Sequence, residues 1–302
     1  MKAKRGALHA ALVVFALVLG GIAAVVSVEQ SEAPPSSPHA GTAAQHPRRS
    51  GPLLLAGSGS NLPLTRRLAQ SWMAAGGGEA QVLTSIGSGG GLQALSDGVI
   101  DIALVSRPLR EDERATVDAV AYARAAIVVA TRLEIERMDV RTLRAIYAGT
   151  QTETPDGQRI VPILREEGDS TFAALSASDA EFGVAIREAQ HDERFRRVFT
   201  DQSMEHVLST VHGALGLLDQ GFLHAQSTHV HSVPLGPRPS PEVLERGEYP
   251  YTKDLLFALP RTTRASARAF VDFVRGPIGR RIIRDAAYMP LMDVVEPGEG
   301  PN

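Results

Sequence analysis

Residues Ser85 to Leu109 (SIGSGGGLQALSDGVIDIALVSRPL) constrain this chain more than any other stretch. They read as strand end, glycine loop, short helix, strand and second loop. Gln81 to Ile86, apolar at Val82 and Ile86, is a strand, and Gly87-Ser88-Gly89-Gly90-Gly91 leaves it and opens a helix. Consecutive glycines let backbone N–H groups approach a ligand closely. A helix N-terminus adds unpaired donors and partial positive charge. Together they can hold an anion. Asp101 to Val105 is short, apolar and buried by this pattern. It delivers Ser106 and Arg107 at its carboxyl end, where open α/β sheets bind ligands. Taken alone, the glycines fit a flexible turn equally well.

Two further strand-to-helix loops carry small hydroxyl residues. Pro52 to Ala56 is a strand followed by Gly57-Ser58-Gly59-Ser60-Asn61. Ser60 or Asn61 suits the N-cap of the next helix, and Pro63 suits its first turn. Leu64, Leu68 and Trp72 mark its buried face, and Gly76-Gly77-Gly78 ends it. Ile160 to Leu164 is a strand ending in Arg165-Glu-Glu-Gly-Asp-Ser-Thr-Phe172. Alternation of strands and helices predicts an α/β fold with a largely parallel sheet. The pattern also predicts a charged helix over 110–117 and strands over 125–130, 214–218 and 255–259. Helices are predicted over 179–190, 203–212, 264–275 and 278–286.

Composition excludes more than it assigns. The chain has 302 residues, enough for two domains, and a net charge of −3, which implies no nucleic-acid partner. There is no Cys, so disulfides, thiol catalysis and thiolate metal sites are absent. Lys2, Lys4 and Lys253 are the only lysines, a skew that fits codon usage and assigns no function. No loop matches the P-loop pattern, and Gly87 to Leu92 fails the dinucleotide pattern at its last position. None of Ser58, Ser60, Ser88 or Ser170 sits in G-x-S-x-G, which argues against a hydrolase. His224, His229 and His231 fit surface histidines better than a metal site. Glu166 and Glu167 fit a solvated loop.

The N-terminus sets the compartment. Lys2, Lys4 and Arg5 precede an uncharged stretch from Gly6 to Val28. That order predicts N-in, C-out insertion. The stretch is long for a signal peptide and just long enough to span a bilayer. A membrane anchor is favoured over a cleaved signal across 1–28. Residues 29–50, rich in Pro, Ser, Ala and His, read as a disordered tether.

Several stretches then resemble one family. They are GSGSNLP, SIGSGGGLQALSDGVIDIALVSRPL, IVPILREEGDSTF, GEYPYTKDLLFAL and ARAFVDFVRGPIGRRIIRDAAYMPL. In this order they resemble the periplasmic phosphate-binding proteins of ABC importers, the PstS-like group, over nearly all of Pro52 to Leu291. The resemblance implies a two-lobed periplasmic-binding-protein fold of type II, each lobe a mostly parallel sheet flanked by helices. The solute-binding domain would cover 51–292. One lobe would comprise 52–124 and 252–291, the other 125–251, with a flexible tail over 293–302.

The resemblance also implies an oxyanion between the lobes, inorganic phosphate first, delivered to an ABC permease. Molybdate or tungstate is an alternative, as is a tethered sensor with no transport role. It implies a monomer with no catalysis, cofactor or metal. The ligand residues it implies are Ser60, Asn61, Leu62, Ser88, Ser106, Arg107, Arg165, Asp169, Ser170 and Thr171. The chain departs from the family where Asn61 replaces Thr, where Asp169 and Ser170 replace Ser and Gly, and where Ser106 replaces Asp. Arg165, at a strand end, would meet an oxyanion bidentately. Two roles are open to Asp169. It could accept a proton carried by hydrogen phosphate, or cap the helix beginning near Ser170.

Overall fold

A computed structural model describes residues 51–226 and 229–291. The membrane-anchor, tether and tail segments read from the sequence lie outside these residues. Among the described residues no helix is long and apolar enough to cross a membrane.

The chain opens with β1 (Leu53–Gly57), a 3₁₀ turn (Gly59–Asn61), α1 (Leu62–Ala74) and β2 (Ala80–Ser85). Next come α2 (Gly87–Ser96), β3 (Ile102–Val105), α3 (Glu111–Arg114) and the 15-residue β4 (Val117–Thr131). The middle section runs α4 (Val140–Tyr147), β5 (Val161–Arg165), α5 (Ser170–Ser178), α6 (Ala180–Gln190) and β6 (Arg196–Val198). It continues with α7 (Asp201–Thr210), β7 (Ala214–Asp219), α8 (Gln220–His224), β8 (His231–Val233) and α9 (Pro241–Glu245). The chain then returns through β9 (Thr252–Pro260), α10 (Ala265–Arg275), α11 (Pro277–Asp285) and β10 (Met289–Pro290).

One curled sheet joins two lobes in the order β2-β1-β3-β9-β4-β7-β5-β6. The long strand β4 belongs to both. Its first part pairs antiparallel with β9, and Ile127 to Thr131 pair with β7. In the first lobe, strand alternation divides the core into two layers. Leu53, Leu55, Ile102, Leu104, Leu255 and Phe257 pack under α1 and α10 on one face. Ala56, Ala103, Val105, Leu256 and Ala258 pack under Leu92 and Leu95 of α2 on the other. In the second lobe, Ile127 to Ala130 with Leu215, Leu217 and Leu218 centre a separate core.

The observed sheet is mixed. Pairs β1–β2, β1–β3, β5–β6 and β5–β7 are parallel, as the alternation of strands and helices predicts. The central strands β9 and β4 run antiparallel to each other, and their neighbours β3 and β7 run antiparallel to them. No local pattern reports that, because β9 meets β4 from more than a hundred residues away. The charged helix predicted over 110–117 shrinks to the single turn α3. Val117 to Arg124 instead extends β4, because its alternating residues find β9 as a partner. Strand β9 likewise begins at Thr252, ahead of the predicted Leu255, which brings Lys253 into the sheet opposite Ala125.

Close packing holds α2 in place. A Cβ on Gly91 would stand 2.8 Å from Gly57 Cα and 3.0 Å from the Ala56 carbonyl oxygen. Gly89, two residues earlier, has nothing within 4 Å. Gly91→Ala should therefore cost about 1–3 kcal/mol by overpacking. Gly89→Ala should be neutral or gain up to about 1 kcal/mol from helix propensity. Thermal melting separates them, with Gly91→Ala lower by roughly 2–10 °C. Equal melting of the two variants would show that α2 is not held by this contact.

Candidate functional site

Between the lobes lies a cavity of about 180 Å³. The first lobe contributes Ser58, Gly59, Ser85, Gly87, Ser88, Gly89 and Arg107. The second contributes the Arg165 to Ser170 loop with Phe199 and Asp201. A larger groove of about 1350 Å³ lies in the second lobe by the Pro234–Pro239 loop. None of the expected ligand residues lines it, so the interlobe cavity is the candidate site.

Helix α2 starts at Gly87 and has no side-chain N-cap. Its first-turn N–H groups are left for whatever occupies the cavity. Ser88 Oγ accepts from the Ser106 N–H at 3.3 Å, tying this helix start to the end of β3.

The expected ligand residues divide three ways. Ser88, Arg107, Arg165, Asp169 and Ser170 line the cavity. Ser60, Ser106 and Thr171 are buried behind it and joined to it by hydrogen bonds. Asn61 and Leu62 face away. The Asn61 amide donates to the Val105 carbonyl at 3.3 Å and to Tyr122 Oη at 3.2 Å, and Leu62 packs in the first-lobe core. Asn61 does not cap α1 through its side chain, because Tyr122 draws the amide into the lobe.

Arg165 is buried, with 4% of its surface exposed. Its guanidinium meets Glu166 through Nε and Nη2, each at 3.1 Å. Nη1 reaches Asp201 Oδ1 at 3.1 Å and Nη2 reaches Asp169 Oδ2 at 3.1 Å. A further bond runs from Nη2 to the Phe199 carbonyl at 3.4 Å. Glu166 is therefore an ion-pair partner and not a purely solvated loop residue. Arg107 is likewise engaged, bonding Glu113 twice at 2.7 Å and holding that carboxyl down at about 2.

Asp169 caps α5. Its Oδ1 accepts from the N–H groups of Thr171 at 3.0 Å and Phe172 at 3.1 Å. With Oδ2 on Arg165, both oxygens have partners inside the protein. Burial pushes this carboxyl up, against the pull of Arg165 and Lys253.

Lys253 is the residue that sequence reasoning missed. It is 5% exposed, and its Nζ donates to Ser60 Oγ at 2.8 Å, Thr171 Oγ1 at 2.6 Å and Ser170 Oγ at 3.3 Å. Asp219 Oδ1 lies 3.1 Å from the same ammonium. The Asp219 oxygens accept no aligned hydrogen bond, and burial pushes the carboxyl up to about 6 despite the lysine. Asp201 was also missed; its Oδ1 accepts from Ser60 at 3.4 Å across the lobes. One sequence signal pointed to Lys253: it is the only lysine beyond residue 4 in a chain whose other cations are arginine. Among the described residues no cluster of His, Asp and Glu could hold a metal ion.

Comparison with known proteins places this architecture. The chain matches the PBP superfamily domain over residues 42–276 and belongs to that superfamily of periplasmic-binding-protein folds. No curated protein matches the sequence significantly. Among solved structures it is similar to one from Clostridium perfringens described as a phosphate ABC transporter substrate-binding protein, with bound phosphate. Identity is 19%, coverage is 80% of this chain and 100% of the other, and the TM-score is 0.69. A second is an ABC-type phosphate transport receptor from Vibrio cholerae, at 18% identity over 78% and 99% of the chains, with a TM-score of 0.57. A third is a reduced form of OxyR from N. meningitidis, at 13% identity over 80% and 98%, with a TM-score of 0.55. At these identities the likeness is one of fold.

Two outcomes follow from the charge arrangement. Arg165→Ala leaves Asp169, Asp201 and Glu166 without their shared cation, and breaking a buried pair costs about 3–5 kcal/mol. This variant should melt well below wild type, with Arg165→Lys in between; an unchanged melting curve would show that the carboxylates do not depend on Arg165.

Asp219 gives a pH signature. Its raised value means the folded state holds a proton that the unfolded chain has lost between about pH 4 and pH 6. Stability from this group falls as pH rises through that window, by on the order of 3 kcal/mol. Asp219→Asn should remove that part of the slope, measured by urea denaturation at several pH values. A parallel pH dependence in both proteins would assign the raised carboxyl elsewhere.

Proposed function

We propose that this chain is an extracytoplasmic solute-binding protein that holds a tetrahedral oxyanion, inorganic phosphate first, for an ABC importer. The observation that carries the reading is convergence. The uncapped start of α2 with Ser58 and Ser88 faces Arg165 and Ser170 across a single 180 Å³ cavity. Binding exchanges hydration for N–H and hydroxyl donors, each charge-assisted bond contributing about 1.5–3 kcal/mol. The lobes, taken as 52–124 with 252–291 and as 125–251, would hinge where β4 and the start of β9 cross between them. The N-terminal segment would hold the domain outside the membrane. The chain acts by binding, without catalysis, as a monomer in partnership with a permease.

A second reading draws on Lys253. An internal ammonium already satisfies Ser60, Ser170 and Thr171, and it bridges the two lobes. A lobe pair closed by its own residues suits a tethered sensor or interaction protein with no transport role.

Calorimetry of the full-length chain against phosphate, sulfate, molybdate and tungstate tests the first reading. Ser88→Asp places a carboxylate at the helix start and should abolish binding, by more than about a hundredfold, since like charge replaces a donor. Its melting temperature should stay near wild type because Ser88 is only half-buried. Absence of binding by all four anions to wild-type protein would favour the second reading.

A further inference from the structure

The hydroxyls behind the cavity form one chain, and the chain has a direction. An ammonium has three donors and no acceptor, whereas a hydroxyl has one donor and two lone pairs. Lys253 Nζ donates to Ser170 Oγ at 3.3 Å. Ser106 Oγ stands 2.8 Å from Ser170 Oγ, and Ser58 Oγ stands 2.7 Å from Ser106 Oγ. The charge of Lys253 draws oxygen ends toward itself and turns protons away, and successive hydrogen bonds polarise one another in the same sense. Ser170 therefore donates to Ser106, and Ser106 donates to Ser58. Ser58 ends the chain at the cavity wall, with one lone pair taken by Ser106 and its own proton left to donate into the cavity. Ser88 has the same character, because its Oγ already accepts from the Ser106 N–H.

We propose that Lys253 sets the proton order of this chain, so that Ser58 serves as an oxyanion donor of the cleft. Ser106 and Lys253 are then positioning residues that act through Ser58. The inference rests on the oxyanion reading above. It explains how a cleft carrying Asp169, Asp201 and Glu166 presents donors to an anion although its arginines are engaged by carboxylates. It also gives the lone buried lysine a role in recognition without touching the ligand.

Ser106 supplies the test, because it is fully buried and does not line the cavity. Inorganic phosphate is titrated by calorimetry into the full-length chain and its variants. Ser58→Ala should weaken binding about tenfold, the scale of one lost charge-assisted bond. Ser106→Ala should weaken it at least about fivefold. The double variant should be no more than about twofold weaker than the worse single variant, because both interrupt one path. Wild-type affinity in Ser106→Ala, or losses that multiply in the double variant, would overturn the proposal.

Lys253→Met combined with Asp219→Asn, which leaves no unpaired buried carboxylate, provides a second check. Its effect on phosphate affinity should be at least about threefold smaller in a Ser58→Ala background. An equal effect in both backgrounds would refute action through Ser58. If wild-type protein binds no oxyanion, the functional reading fails and takes this inference with it. If wild type binds and Ser106→Ala is silent, this inference fails alone.

Discussion

A buried ammonium ties this molecule together. Lys253 sits at the start of β9, where the chain returns from the second lobe to the first, and its partners come from both. Ser60 belongs to the 3₁₀ turn after β1, Ser170 and Thr171 open α5, and Asp219 ends β7. A lysine withdrawn from water is costly unless its donors are matched. Three hydroxyls and one carboxylate meet it. The pairing fixes how the ends of four elements approach one another, behind the cavity wall to which Gly59 and Ser170 belong.

The carboxylates around Arg165 follow the same logic in mirror image. Asp169, Asp201 and Glu166 surround one guanidinium whose planar fork can bond several partners at once. The lobes meet there as well, because Asp201 also accepts from Ser60. Charge in the cleft is thus largely matched within the protein. The donors in the cavity wall that no carboxylate engages are neutral ones, the first turn of α2 and the Ser58 and Ser88 hydroxyls, set among ion-paired side chains. The glycines that begin α2 matter for this arrangement in two ways. Gly91 allows the helix to sit against Gly57 and Ala56, and the residues before it expose backbone donors.

Membership of the PBP superfamily fits this architecture, in which a shared strand lets two lobes enclose a small cleft. The same fold occurs in proteins described as phosphate transport receptors and in OxyR. The shared fold sets the architecture and leaves the chemistry to the residues that line the cavity.

Much of this was legible in the chain itself. Periodicity and turn residues placed α1, α2, α6, α10 and most strands, because amphipathic patterns and glycine stops act locally. The three strand-to-helix loops were legible for the same reason, and the resemblance to the PstS-like group pointed within them to Ser88, Arg165 and Ser170, which line the cavity. The extent of β4 and β9 was hidden, since Val117 to Arg124 becomes a strand only by pairing with residues far along the chain. The direction of a side chain was hidden too. Asn61 lies in the right loop, yet Tyr122 draws its amide inward. Asp169 had two open roles, and the N–H groups of Thr171 and Phe172 together with Arg165 occupy both oxygens. Sequence alone determined the α/β class and the loops that face the cleft, because propensity and spacing are properties of neighbouring residues. Tertiary structure alone decided that Lys253 and Asp201 belong to the site, because burial of a charge and its pairing depend on groups brought together from across the fold.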